Sequence, residues 1–86
     1  MWYYITTYSF DAHKDVDGPF NNKEEAWDVM LDDAQREYMI DKEENKYRNQ
    51  LIKNKDYGEI TLLNLFTHGT NVTKFFLFEI DNTKLI

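Results

Sequence analysis

The stretch NKEEAWDVMLDDAQREYMI, Asn22 to Ile40, decides how the chain folds. Trp27, Met30, Leu31, Ala34 and Tyr38 recur at spacings of three and four, which puts them on one stripe of an α-helix. Asn21 or Asn22 can cap that helix. Glu24 and Glu25 then fill its first turn, where unsatisfied N–H groups favour negative charge. The spacing predicts a helix from about residue 22 to about residue 40. Phe20, just before the cap, is placed to close the stripe as a hydrophobic staple. The rest of the helix surface is acidic. Glu24, Asp28 and Asp32 form one ladder at spacing four, and Asp33, Glu37 and Asp41 form another. Like charges at that spacing oppose the helix by about a few tenths of a kcal/mol per pair.

The flanking segments read as strands. Residues 2–10 are almost all β-branched or aromatic, a composition that suits a strand. Trp2, Tyr4, Thr6, Tyr8 and Phe10 share one face, and Tyr3, Ile5, Thr7 and Ser9 the other. Apolar groups on both faces place this strand inside a sheet. Residues 11–19 read as a loop that ends in the turn signal Asp17-Gly18-Pro19. The polar residues 41–46 are expected to leave the helix. Three strands follow, Tyr47–Asn54, Glu59–Phe66 and Val72–Ile80. They are separated by the turns Lys55-Asp56-Tyr57-Gly58 and Thr67–Asn71. The expected fold is α+β in the order β-α-β-β-β, a three- or four-stranded antiparallel sheet with the acidic helix on one face. The alternative continues the helix through 41–55 and gives β-α-β-β. One helix covers only one sheet face. The other face is expected to carry some of Tyr3, Ile5, Leu63, Leu65, Phe75 and Leu77. An apolar sheet face in water points to a homodimer or a partner there, unless the 11–19 loop or the chain ends cover it.

Eighty-six residues make one domain, 1–86. With 42% hydrophobic and 16% aromatic residues the chain is too apolar for a disordered tail. The absence of Cys excludes disulfides, thiolate chemistry and Cys-ligated zinc. The run Phe75-Phe76-Leu77-Phe78 is too short to span a membrane. Met1-Trp2-Tyr3-Tyr4 lacks a basic n-region, so no secretory signal and a cytoplasmic location are expected.

The net charge is −6, with 10 basic and 16 acidic residues. Residues 24–44 hold nine acids against Arg36 and Lys42 alone. Free nucleic acid is a poor partner for such a chain, because phosphate binding needs clustered Lys and Arg. Anionic membranes are disfavoured for the same reason. A basic protein is favoured, and its approach is electrostatically accelerated.

Residues 13–24 look like an EF-hand calcium loop. Asp15 and Asp17 stand at the third and fifth ligand positions, Gly18 at the sharp turn and Glu24 at the final bidentate position. His13 stands where the first ligand is normally Asp, and a strand precedes the segment where an entering helix should be. The plainer reading is an acidic turn running into a helix start. No metal or other cofactor is therefore assigned, and Asp15, Asp17 and Glu24 are the residues that would ligate one. Gly18-Pro19-Phe20 followed by Glu25-Ala26 also resembles a motif of SPOR domains, which bind bacterial peptidoglycan. That likeness covers about nine residues and the family's second helix has no counterpart here, so it implies only a similar turn into a helix.

Catalysis finds little to work with. His13 and His68 are the two histidines and Ser9 is the single serine. His13 beside Asp11 or Asp15 could serve as a base, but a loop histidine is ordinarily just solvated. Carboxylates on an exposed ladder stay ionised, which is wrong for a general acid. Asn71-Val72-Thr73 matches a glycosylation acceptor, which has no meaning without secretion. The expectation is a protein that is not an enzyme.

The helix dipole explains Glu24 and Glu25 but not the acids beyond the first turn. Carboxylates spaced along a helix can imitate the phosphates of a duplex. In size, acidity, lack of Cys and lack of a catalytic motif, the chain resembles small phage-borne inhibitors of bacterial defence, including anti-CRISPR proteins. The resemblance is one of general character over the whole chain. It implies a non-enzymatic inhibitor in the cytoplasm of a bacterial host that occupies a basic, nucleic-acid-binding surface of a defence protein. Glu24, Asp28, Asp32, Asp33, Glu37 and Asp41 are the expected contacts. The alternative is a small calcium- or ligand-binding module built on the 13–24 loop.

Overall fold

A computed structural model of the chain describes residues 1–44, 49–66 and 69–81, without the side chains of residues 41–44 and Phe66. The elements are β1 (Trp2–Tyr8), β2 (Asp11–Phe20), α1 (Lys23–Glu44), β3 (Asn49–Asn54), β4 (Glu59–Phe66) and β5 (Gly69–Glu79). The strands form one antiparallel sheet in the order β2-β1-β5-β4-β3. The α+β class, the single described helix and the placing of β1 inside the sheet match the expectation. The sheet has five strands, and the order is β-β-α-β-β-β.

The extra strand is β2, where a loop was expected. Its sequence alternates. His13, Asp15 and Asp17 fall on one face and Lys14 and Val16 on the other, and Val16 pairs with Ile5 and Lys14 with Thr7. Gly18 and Pro19 do not end the strand. They form an irregularity between the pairs Tyr4–Asp17 and Trp2–Phe20, and the Gly18–Pro19 peptide is cis. Gly and Pro are tolerated there because β2 is an edge strand, whose outer N–H groups have no ladder partner. Gly18 has φ 135°, and a Cβ at this position would lie 2.6 Å from the Tyr3 ring.

The helix also exceeds its expected end. Residues 41–44 are Asp, Lys, Glu and Glu, polar but not helix-breaking, and no Gly or Pro stops the chain before them. Asn22 caps the start: its Oδ1 accepts from the Glu25 N–H at 2.8 Å, and Glu25 Oε2 accepts from the Asn21 N–H at 3.2 Å. The strand reading of Tyr47–Asn54 holds for residues 49–54. The Lys55–Gly58 turn is as expected, with the Gly58 N–H donating to the Lys55 carbonyl at 3.1 Å and φ +62° at Gly58.

The core lies between α1 and one sheet face. Tyr4, Trp27, Met30, Ala34, Ile60 and Phe75 are buried together, with Phe20, Leu31, Leu51 and Leu77 packed around them. The stripe of α1 is thus the one its spacing gives, widened by the buried Ala26. Phe20 stacks on Tyr4 with ring centroids 5.9 Å apart. Each large side chain in this cluster contributes about 1.5–3 kcal/mol by leaving water.

Register corrects the expected open face. Leu77 pairs with Tyr4 and Phe75 with Thr6, so both point toward α1. The face away from α1 carries Tyr3, Ile5, Val16, Leu63, Leu65, Val72, Phe76 and Phe78. Of the two candidate covers, the 11–19 loop is itself β2, and the end of the chain lies outside the described residues.

Candidate functional site

The pairing of β2 with β1 changes the meaning of the acidic residues. It brings Asp15 and Asp17, on the α1 side of β2, opposite Asp33 and Glu37 of α1. The four carboxylates line a cleft of about 380 Å³ whose floor is Thr6 and Phe75. Tyr8 and Arg36 complete its walls, and Ile40 closes one side.

Each acid is held differently. Asp33 accepts the hydroxyl of Tyr4 and sits 3.1 Å from Arg36 Nη2. Asp32, exposed on the rim, takes the same guanidinium at 2.7 Å. Asp15 accepts the Tyr8 hydroxyl at 3.1 Å and lies 2.8 Å from His13 Nε2. Glu37 is half-buried beside them.

The crowding shows in the proton affinities. The Asp17 carboxyl is raised above its ordinary value by burial, then by the charges of Asp33 and Asp15; the Tyr4 hydroxyl offsets part of this. Burial and the bond to Asp15 push the Tyr8 phenol up to about 12, with Glu37 adding to the effect. Tyr4 is raised as well, by burial and then by Asp33. Both phenols therefore stay neutral at physiological pH and act as donors to carboxylates.

The expected contact residues divide into two groups. Asp33 and Glu37 turn inward to the cleft. Glu24, Asp28 and Asp32 stay exposed as an outer ladder, and Glu24 borders a separate hollow with Lys23, Trp27, Lys55 and Asp56. The side chain of Asp41 lies outside the described residues, as does His68. Asp15 and Asp17, read as calcium ligands, instead join the acids of the helix, away from Glu24. The backbone of 11–20 is extended strand, which is not the loop an EF-hand needs. Among the described residues no three His, Cys, Asp or Glu side chains are grouped so as to hold a metal. The signal for the cleft was present as the period-two alternation of His13, Asp15 and Asp17, masked by Gly18-Pro19.

Chemically, the cleft can accept hydrogen bonds and positive charge. An ammonium or guanidinium group fits its carboxylate-rich lining. No helix among the described residues is long and apolar enough to cross a membrane. Comparison with family models, with curated proteins and with solved structures finds no match to the chain.

Proposed function

We propose that this chain is a non-enzymatic acidic interaction protein that occupies a basic surface of a partner protein, of the kind that otherwise binds nucleic acid. The cleft of Asp15, Asp17, Asp33 and Glu37 is the centre of its interface, and the ladder of Glu24, Asp28 and Asp32 is the rim. An inhibitor of a nucleic-acid-dependent defence protein, of the anti-CRISPR type, is the concrete form of this proposal.

One observation supports it above the others. Two segments remote in sequence bring four carboxylates to one cleft, where Asp17 is raised above its ordinary value by burial first and then by the charges of Asp33 and Asp15. The hydrogen bonds from Tyr4 to Asp33 and from Tyr8 to Asp15 serve the fold, but gathering four like charges at close range opposes the compact state. A cationic group from outside relieves it. Arg36 relieves it in part, but its guanidinium is exposed and already shared between Asp32 and Asp33.

Capture from a bacterial lysate tests the proposal when combined with competition. The captured protein should be basic, should be released at high salt, and should be displaced by duplex DNA or RNA if the occupied surface binds nucleic acid. Retention in the presence of excess nucleic acid would exclude the mimic.

A further inference from the structure

The sheet face opposite α1 is chemically unlike the rest of the molecule. Val16, Ile5 and Phe76 form one row across β2, β1 and β5. Tyr3 and Phe78 stack beside it with ring centroids 5.5 Å apart and an interplanar angle of 16°. Leu63 and Val72 pair across β4 and β5 at the other end. Val16 is 58% exposed and Ile52, also on this face, 50%.

Charge is almost absent from it. Lys14, Lys74 and Glu59 are the charged strand residues on this side, and Lys74 Nζ stands 3.8 Å from Glu59. The acids of a chain with net charge −6 therefore lie elsewhere, chiefly on α1 and the α1 side of β2. We propose that this face is the interface of a symmetric homodimer, in which two copies pack sheet against sheet with both acidic helices turned outward.

Charge and area select a second copy. The basic partner suited to the acidic cleft finds only a nearly neutral surface here. Two copies that met through α1 or β2 would set acid against acid, whereas meeting through this face keeps the acids apart. The β2 edge adds a second argument. This strand carries the charged residues Lys14, Asp15 and Asp17 and the Gly18–Pro19 irregularity, features that disfavour strand-to-strand pairing at that edge. Five strands spaced about 4.8 Å apart and about eight residues long offer roughly 600 Å² in projection. Side chains standing on the sheet raise the accessible area toward the roughly 800 Å² per partner of a standard stable interface. Aligned packing of two such faces gives a sandwich with inner spacing of about 10 Å.

Sedimentation velocity on the full chain, from micromolar to near-millimolar concentration, tests this. The expected result is a species of twice the chain mass that persists or strengthens at high salt, because apolar burial is not screened. Val16→Asp should weaken dimerisation by roughly tenfold or more, since it places one buried charge from each copy in the apolar row that Val16 forms with Ile5 and Phe76. Val16 is an exposed edge position, so the variant's melting curve at dilute concentration should match the parent's. Phe76→Asp should act in the same direction, and amide shifts on dilution of the parent should concentrate at Tyr3, Ile5, Val16, Phe76 and Phe78. A parent that stays monomeric throughout would overturn the proposal. So would a dimer that Val16→Asp leaves intact, one that high salt dissociates, or shifts that map to α1.

Discussion

The hydroxyl of Tyr4, on β1, donates a hydrogen bond to the carboxylate of Asp33, on α1, 29 residues away in sequence. The contact ties the helix to the sheet beside the acidic cleft, which Asp33 lines. It also turns Asp33 inward, away from the exposed ladder of Glu24, Asp28 and Asp32. Tyr4→Phe keeps the ring in the core but leaves the inward-facing carboxylate without that donor, at a cost of about 1–3 kcal/mol. Thermal or denaturant unfolding reads the loss directly. An unchanged melting temperature would mean that the bond contributes nothing to holding α1 in place.

Trp27 is the largest side chain that α1 sends into the core. Trp27→Ala should lower stability by about 3–5 kcal/mol, the usual cost of truncating a buried aromatic. A variant that melted within a degree or two of the parent would show that the helix does not pack through this face.

The helix was legible in the sequence because its apolar period, its cap and its acidic first turn all agree, and Trp27, Met30 and Ala34 are buried as their spacing requires. The β2 strand was not, because Gly18-Pro19 reads as a turn and only an edge position makes it compatible with a strand. The open face was half legible. Both faces of β5 are apolar, and only the pairing of Leu77 with Tyr4 decides that Phe75 and Leu77 face the helix while Phe76 and Phe78 do not. The cleft followed the same pattern. Asp33 and Glu37 were visible as helix acids, but their meeting with Asp15 and Asp17 depends on a strand pairing that local sequence does not specify.

Asp17 and Tyr8 make stability depend on pH at both ends of the scale. The folded pKa of Asp17 lies above its ordinary 3.8, so its contribution is fully present below that value and is lost as pH rises through the folded value. Asp17→Asn should flatten that fall and leave the protein more stable at neutral pH. Tyr8 is raised from 10.0 to about 12, so its contribution persists below 10.0 and disappears as pH climbs toward 12. Tyr8→Phe should reduce the alkaline loss. Melting curves across pH check both signs, and a parent-like acid limb in Asp17→Asn would contradict the crowding of the cleft.

Calcium should not raise the melting temperature. Residues 13–20 lie in strand and Glu24 lies in the first turn of α1, so the three candidate ligands are not wrapped around one point. Millimolar calcium added during thermal unfolding checks this by linkage. A clear rise that Glu24→Gln abolished would restore the calcium-loop reading.

The claim that the converged cleft, rather than net charge alone, receives a cationic partner is tested most directly by calorimetric titration with an arginine-rich peptide. Two variants that each lose three charges are compared with the parent. Asp17→Asn, Asp33→Asn and Glu37→Gln together remove three of the four carboxylate charges of the cleft. Glu24→Gln, Asp28→Asn and Asp32→Asn together strip the outer ladder. Both are first shown to be folded by circular dichroism. Binding to the cleft variant should weaken by roughly tenfold or more, while the ladder variant should lose only about twofold to threefold, chiefly through slower association. Equal losses in the two variants, or retention of parental affinity by the cleft variant, would contradict the account.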